Sequence, residues 1–400
     1  MKKLLTYGFN EVFCKGLNVG LILILPLLLP KDQFGVVVYF IAIEQVIVSI
    51  IAFGQHNYFL KRYQKSSNID EKEIVFIKLR SVCKSIALLS FTVVFLLNTT
   101  TSYLHYDLVY YLLLIFASYF IAIYEMSNIK YRADGDDFLY FRSKLTYQVI
   151  KFSSCLLVIF LFDVGFESYL IAILLSSVVT HAINISLKLK WNRLFSKPNK
   201  KEFIILLPFA SQSILNILYS VLDRIMVKDL LNNEKLAVYG FSYNIASLAF
   251  FVISVIFLVY LPRFYKIKDL EVAKEYLKNG CLISSCLIIV FMFVVYIGYD
   301  LLGFLYDDVY TSSSVTTLIL VSSYLCHILY LYYFHINNFL DNMKGLPIIV
   351  LFTLFVNATL NYFMIPEFGI EGAAVSTLIS ECLLGVLMGV NFKVVKYHGT

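Results

Sequence analysis

Charged side chains inside apolar stretches are the residues of this sequence whose types and positions could do chemistry. Lys15 lies in the apolar stretch at 8–29, and Lys151 lies at a similar depth in the stretch at 145–163. Placing a charged side chain at the centre of a membrane helix costs about 2.5–3.5 kcal/mol, even on the insertion scales that give the lowest values. Because an anionic partner would offset that cost, we expect Lys15 and Lys151 to bind an anionic group. The alternative, that each lysine stem carries its ammonium back to the headgroups, stays open.

An adjacent acid–base pair and two lone carboxylates are the other charges that we single out. Asp223 and Arg224 adjoin in the outer third of a later stretch. They form either an interfacial structural ion pair or an outer anion site in which Asp223 moderates the charge of Arg224. Glu44 and Glu381 fall near the middle of their stretches. Because an isolated carboxylate there is protonated or paired, we expect both to bind a coupling H+ or Na+ or to balance the lysines.

The sequence predicts no catalytic residue, no metal site and no resident cofactor. It contains no Walker loop, no nucleophile elbow and no cluster of His or Cys at metal-ligand spacing. Asp134-Gly135-Asp136 resembles the acidic metal-binding triplet of nucleotide-sugar transferases, but its loop is too short to hold a donor site. The seven cysteines lie within or at the ends of apolar stretches, and we interpret them as buried apolar side chains.

The elements that must position these charges are apolar stretches of membrane-spanning length. Sixty per cent of the residues are hydrophobic and only 15% are charged, which excludes an ordinary soluble protein. A hydrocarbon core of roughly 30 Å takes about 20 helical residues to cross. Stretches of that length lie at 8–29, 34–55, 75–98, 107–127, 145–163, 167–187, 203–222, 237–259, 281–299, 313–334, 346–364 and 370–391. We therefore predict an all-α integral membrane protein with about 12 transmembrane helices.

Lysine and arginine concentrate in every second loop and in both terminal segments. The opposite loops hold only Lys31, Lys228 and Lys235. By the positive-inside rule this asymmetry places both termini in the cytoplasm. The excess of basic residues in the cytoplasmic loops accounts for the formal net charge of +6. We therefore expect no nucleic-acid partner.

The chain divides into two halves of six spans, 1–195 and 196–400, on either side of a basic loop. A weak internal repeat supports this division, because residues 27–45 and 230–247 share a short charged loop followed by similarly spaced Val, Phe and Ile. Both halves begin on the cytoplasmic side, so the repeats are parallel. Such halves usually enclose a central cavity and alternate its access between the two sides.

Three segments carry motifs of one known family. The segment 360–381 has an Asn near a helix end, a proline-containing turn and a Gly-Ile-x-Gly-Ala-Ala helix start, here Asn361, Pro366, Gly369, Ile370, Gly372, Ala373 and Ala374. The segment 219–247 has an Asp-Arg pair before a short outer loop, and 27–40 has a Leu-x-Pro-x-Asp-x-Phe-Gly turn. Together they resemble the polysaccharide-transport and O-antigen flippase family of the multidrug/oligosaccharidyl-lipid/polysaccharide exporter superfamily.

The resemblance implies a flippase in the bacterial inner membrane. Such a protein moves undecaprenyl-diphosphate-linked oligosaccharide repeat units of O-antigen, or of a related surface polysaccharide, from the cytoplasmic to the periplasmic leaflet by alternating access. Lys15, Lys151 and Arg224 would then meet the diphosphate. The expected partners are this lipid-linked substrate, membrane lipids, and the polymerase and chain-length regulator of the same pathway. The loop 131–137 is more acidic than the family pattern, which argues against phosphate binding there.

Two other functions stay open at this stage. A multidrug or cation antiporter of the same superfamily would favour an acidic cavity with few buried lysines. A membrane-embedded polysaccharide polymerase or glycosyltransferase would present a large outer loop with catalytic Arg or His residues, whereas the outward loops at 223–236 and 300–312 are short.

Overall fold

Helices make up all the regular structure in the part of the chain that the structure describes. The computed structural model describes residues 2–55, 58–59, 69–100, 105–188, 200–302, 304–306, 310, 313–340, 342 and 345–398. Its helices are α1 (Lys2–Leu28), α2 (Lys31–Ala52), α3 (Ile69–Thr100), α4 (Leu108–Asp134), α5 (Asp137–Phe162), α6 (Glu167–Lys188), α7 (Lys200–Leu230), α8 (Asn233–Phe264), α9 (Leu270–Leu302), α10 (Ser314–Phe339) and α11 (Leu346–His398).

The lengths and compositions of these helices confirm an all-α membrane protein. Among the described residues, ten helices are long and apolar enough to cross a membrane, and α1 adds a shorter apolar segment at Phe13–Leu28. In lipid every backbone N–H and C=O needs a partner within its own segment, which is why each apolar stretch folds as a helix. Several helices also continue past the predicted stretches. For example, α9 begins at Leu270 rather than at 281, so its first turns are polar.

The last helix, α11, is folded back on itself at Gly369. This residue has φ 61° and ψ −139°, a conformation that favours glycine. Asn357 Nδ2 donates to Ser380 Oγ at 3.1 Å, so the arm before Gly369 lies against the arm after it. Residues 346–368 and 370–398 are therefore two antiparallel arms, in agreement with the two separate spans predicted at 346–364 and 370–391.

Polar residues define several helix ends, including those around the acidic loop. Gly135 adopts the left-handed conformation after α4. The backbone N–H groups of Gly135 and Asp136 donate hydrogen bonds to carbonyl oxygens in the last turn of that helix. Asp136 then accepts a hydrogen bond from the Leu139 backbone at 3.1 Å at the start of α5. Asn232 caps α8 in the same way through the Lys235 backbone N–H at 2.8 Å. Asp136 thus acts as a helix cap.

The chain forms two compact units. Unit 1 consists of Met1–Leu21 and Phe40–Leu218, and unit 2 consists of Ile22–Tyr39 and Tyr219–Thr400. The core of unit 1 includes Ile51, Cys83 and Ile115. The division into halves at 1–195 and 196–400 remains a prediction, because its boundary falls in 189–199, outside the described residues.

Unit 2 takes in the end of α1 and the start of α2 through a close backbone contact. A Cβ atom at Gly35 would lie 1.9 Å from the Asn233 carbonyl oxygen at the start of α8. Nearby, the Lys228 ammonium lies over the Tyr39 ring, 4.9 Å from its centroid. The Gly35–Asn233 contact joins the two segments that carry the weak internal repeat, and any side chain at position 35 would force them apart.

The predicted orientation can be tested with reporter fusions. We expect fusions at Lys65, Lys197 and Lys274 to report the cytoplasm, and fusions at Asp307 and Glu367 to report the periplasm. Lys274 and Glu367 test the orientation most directly. Three predicted crossings, α9, α10 and the first arm of α11, lie between them and place them on opposite sides of the membrane. Fusion activity on the same side for these two positions would contradict the twelve-span topology.

Candidate functional site

The predicted residues Lys151 and Glu44 meet in one buried network in unit 1. Lys151 Nζ, on α5, donates to Tyr169 Oη at 3.1 Å and to Asn18 Oδ1 at 3.3 Å. Tyr169 Oη in turn donates to Glu44 Oε2 at 2.9 Å. The network therefore connects α1, α2, α5 and α6.

The environment of Lys151 explains how an ammonium is kept inside the membrane. The residue is only 5% exposed, and its Nζ lies 4.8 Å from the centroid of the Tyr169 ring. The aromatic face, the phenol oxygen and the Glu44 carboxylate together offset its desolvation. Tyr169 and Asn18 already accept hydrogen bonds from this ammonium. Direct contact between Lys151 and a substrate would therefore require the network to rearrange.

Lys15 differs from Lys151 in being exposed. It lies on α1 next to the buried Cys14. Asn18, which binds Lys151, is three residues further along, and positions three apart share a helix face. Lys15 thus lies one turn from the Lys151 network, on the same face of α1.

The second predicted pair, Asp223 and Arg224, forms a buried cluster in unit 2. Asp223 accepts hydrogen bonds from the Arg224 backbone N–H at 2.7 Å and from Tyr239 Oη at 2.6 Å. Arg224 Nη2 donates to the Ser220 carbonyl at 2.6 Å, and the guanidinium lies over the Tyr243 ring at 4.3 Å. The side chains of Arg224 and Asp223 are 6% and 4% exposed.

One donor of Arg224, the Nε–H group, makes no hydrogen bond among the described residues. Its Nε lies 3.8 Å from Asp223 Oδ1, which is an ion-pair distance but too long for a hydrogen bond. Nε has no hydrogen-bond partner among the described residues. The arrangement can bind an anion or another acceptor, and Asp223 limits its net charge.

Glu381 has a specific partner on α10. Glu381 Oε2 lies 3.0 Å from His327 Nδ1, and the two side chains are 13% and 18% exposed. The neighbouring residues Cys326 and Cys382 are joined as a disulfide, with their Cα atoms 4.9 Å apart. Interpreting all the cysteines as buried apolar side chains was therefore wrong for this pair, and also for the exposed Cys286. The interpretation failed because it considered loops and not facing helices.

The sequence matches, over residues 2–268, the family described as polysaccharide biosynthesis protein. The chain belongs to this family. The resemblance drawn from its motifs is thereby confirmed at family level, and the match extends across both the Lys151 network and the Asp223–Arg224 pair.

Solved structures with the fold of this family member are membrane transporters. Lipid II flippase MurJ in an inward closed conformation has a TM-score of 0.78 and 13% identity, covering 96% of this chain and 87% of that chain. An inward-facing multidrug resistance MATE family transporter of the MOP superfamily has a TM-score of 0.74 and 12% identity, covering 95% and 94%. At these identities the likeness establishes the fold alone.

A curated relative is an uncharacterized membrane protein of Methanocaldococcus jannaschii. It is 27% identical over 208 residues, which are 50% of this chain and 49% of the relative. The chain therefore spans about half the length of the curated relative that it matches.

Several partners of the predicted residues in this chain were not identified from sequence. Tyr169 and Asn18 complete the Lys151 network, Tyr239 binds Asp223, and His327 binds Glu381. The high tyrosine content was the available signal, but 30 tyrosines cannot be ranked without knowing which helices face each other. His327 was visible only as one of several isolated histidines.

Proposed function

We propose that the protein is a flippase for undecaprenyl-diphosphate-linked oligosaccharide repeat units of O-antigen or a related surface polysaccharide. It would move them from the cytoplasmic to the periplasmic leaflet of the bacterial inner membrane by alternating access. Family membership and the transporter fold supply the class of function. The observation that carries the substrate assignment is the buried Arg224 guanidinium, whose Nε makes no hydrogen bond among the described residues, because such a group favours an anionic lipid over a cationic drug.

The lysines and Arg224 would act at different stages. Lys15 is exposed on α1 and is proposed to receive the diphosphate first. Arg224 is proposed to bind it in a later state, while Asp223 keeps that interaction weak enough for release. Lys151 is proposed to contribute once its network with Tyr169 opens.

Glu44 and Glu381 are proposed to couple transport to H+ or Na+. Each carboxylate contacts a group that can shift its hydrogen bonds, Tyr169 for Glu44 and His327 for Glu381. A change of protonation or cation occupancy at either carboxylate would alter contacts between helices. We propose no catalytic residue, resident metal or cofactor. The proposed partners are membrane lipids and the polymerase and chain-length regulator of the pathway, with no nucleic acid.

A multidrug or cation antiporter is the second candidate, because a MATE family transporter shares this fold, although a fold shared with a flippase as well does not distinguish the two. An organic cation binds best where carboxylates and aromatic faces are unoccupied. Here the Arg224 guanidinium already lies over the Tyr243 ring, and His327 already contacts the Glu381 carboxylate. Both arrangements disfavour an organic cation at these groups. A polysaccharide polymerase is disfavoured by the transporter fold.

Deletion of the gene in its own host separates the two transporter functions. We expect surface polysaccharide to be lost and lipid-linked repeat units to accumulate on the cytoplasmic leaflet, with sensitivity to cationic drugs nearly unchanged. Glycan staining, lipid extraction and drug susceptibility would be measured, with a plasmid-borne copy as the control. Normal surface glycan together with marked drug hypersensitivity would contradict the flippase proposal.

A further inference from the structure

Four tyrosines gather around the charged residues of unit 2. We call them the tyrosine cluster: Tyr219 on α7, Tyr243 on α8, and Tyr324 and Tyr330 on α10. All four are half-buried, so each retains some accessible surface. On α10 they alternate with a histidine at helical spacing, which places Tyr324, His327 and Tyr330 on one face.

Ring contacts connect the tyrosine cluster to both charged pairs. Tyr243 lies under the Arg224 guanidinium at 4.3 Å. The His327 ring centroid lies 5.3 Å from that of Tyr330 and 6.4 Å from that of Tyr324. The Tyr243 and Tyr324 side chains also interact with each other, so aromatic surface runs from Arg224 to the His327–Glu381 pair.

Two polar atoms at this surface make no hydrogen bond to any described residue. Tyr219 Oη lies near the Glu381 carboxylate, but the two do not meet the geometry of a hydrogen bond, and the hydroxyl has no partner among the described residues. The same holds for Arg224 Nε. A buried polar atom without a partner is unfavourable, so two in one cluster indicate a ligand that supplies hydrogen-bonding groups.

The charges at the cluster select the kind of ligand. Asp223 and Glu381 bring two carboxylates near the one guanidinium of Arg224, and Glu381 is already in contact with His327 Nδ1, so the cluster has no large excess of either sign. A neutral, hydroxyl-rich molecule fits such a surface better than a bare dianion or an organic cation. Sugar hydroxyls bind carboxylate, guanidinium and phenol groups, while the C–H faces of a sugar ring pack on aromatic rings.

We propose that the tyrosine cluster, with His327 and Glu381, is the binding site for the saccharide nearest the diphosphate. This inference rests on the proposed flippase function. A sugar attached directly to the diphosphate would contact the cluster while Arg224 binds the phosphate. Tyr219 Oη would then donate to, or accept from, a sugar hydroxyl.

The test compares two lipids that differ only in the sugar. Purified full-length protein in nanodiscs is titrated with undecaprenyl diphosphate and with undecaprenyl-diphosphate-N-acetylglucosamine, and binding is measured by native mass spectrometry. We expect the sugar-bearing lipid to bind more tightly. Tyr219→Phe should reduce its affinity by about 10-fold, the effect of one lost hydrogen bond, and leave undecaprenyl diphosphate binding unchanged.

The structure offers controls for this substitution. The Tyr219 hydroxyl makes no hydrogen bond among the described residues, so Tyr219→Phe should leave the thermal unfolding temperature unchanged. Tyr362 lies in the same unit with 60% of its surface exposed, so Tyr362→Phe should alter neither affinity nor stability.

The possible contrary results separate this inference from the proposed function. Equal wild-type affinity for the two lipids, or an unchanged affinity in Tyr219→Phe, would overturn the saccharide site and leave the flippase proposal standing. An equal loss for both lipids in Tyr219→Phe would also overturn it, since the hydroxyl would then serve the diphosphate. Displacement of the sugar-bearing lipid by tetraphenylphosphonium would identify a cation site instead. Failure of the wild type to bind either lipid would contradict both proposals.

Discussion

Replacing Arg224 with Gln is expected to reduce surface polysaccharide about 10- to 100-fold, the loss that follows removal of one charge-assisted hydrogen bond. Gln keeps a polar side chain but cannot supply the buried positive charge that we propose for the diphosphate. The measurement is glycan display in a deletion strain, normalised to the amount of variant protein in the membrane.

Two further substitutions make this result specific. Arg224→Lys should restore part of the activity, because the charge survives while the planar donor geometry is lost. Arg224→Glu should be worse than Arg224→Gln, because it places a repelling charge against the phosphates in a low-dielectric region. Full glycan display by Arg224→Gln at normal membrane levels would remove Arg224 from the site.

Lys15 provides a parallel series in unit 1. If it receives the diphosphate, Lys15→Ala should lower export and Lys15→Arg should retain part of it. If its ammonium instead reaches the headgroups, Lys15→Ala would leave export intact. The same glycan assay decides between these results, and neither outcome affects the assignment of the fold.

The fold was predictable from sequence because the bilayer reduces the choice to helices. Twelve apolar stretches were enough to predict the helices, and even the turn between the last two followed from Pro366 and Gly369. The structure added what single stretches cannot show. Two compact units divide α1, α2 and α7 within their lengths, because a close approach such as that of Gly35 to Asn233 depends on packing between distant segments.

The candidate site was predictable only in part. Charges in apolar stretches stand out because they are costly, and all six predicted residues lie in helices that the structure describes. Their partners do not stand out. His327 and Glu381 are 54 residues apart and Tyr169 and Glu44 are 125 apart, so no local spacing connects them. A neutral tyrosine or histidine in a membrane helix carries no comparable energetic signal.

The two units use their charges differently, which bears on the mechanism. In unit 1 the Lys151 ammonium has a phenol oxygen and an amide oxygen as partners. In unit 2 the Arg224 guanidinium retains an Nε that makes no hydrogen bond within the described part of the chain. The first arrangement suits a network that must open before it binds, whereas the second is ready to accept a ligand. This difference motivates a stability test for Lys151 and an export test for Arg224.

Replacing Lys151 with Met is expected to destabilise the protein by about 3–5 kcal/mol, the usual cost of leaving a buried charge without the opposite charge that compensates it. Met approximates the shape of the lysine stem but leaves the Glu44 carboxylate inside the membrane without the cation that offsets its burial. The apparent melting temperature of purified protein in detergent would be measured. The double variant Lys151→Met with Glu44→Gln should recover most of the loss, because the uncompensated charge is removed as well.

An ion pair with a solvent-exposed carboxylate, in which the Lys274 side chain is 15% exposed, supplies the matched control for Lys151. Lys274 Nζ lies 2.6 Å from Glu271 Oε1, and the Glu271 side chain is 75% exposed. Lys274→Met should therefore cost no more than about 1 kcal/mol. If Lys151→Met proves as stable as Lys274→Met and still abolishes export, then the network is not what holds Lys151 in the membrane. Lys151 would then act on the substrate directly, as its position in an apolar stretch first indicated. A large loss of stability that Glu44→Gln repairs would show instead that Lys151 and Glu44 balance each other, leaving the anionic lipid to Lys15 and Arg224.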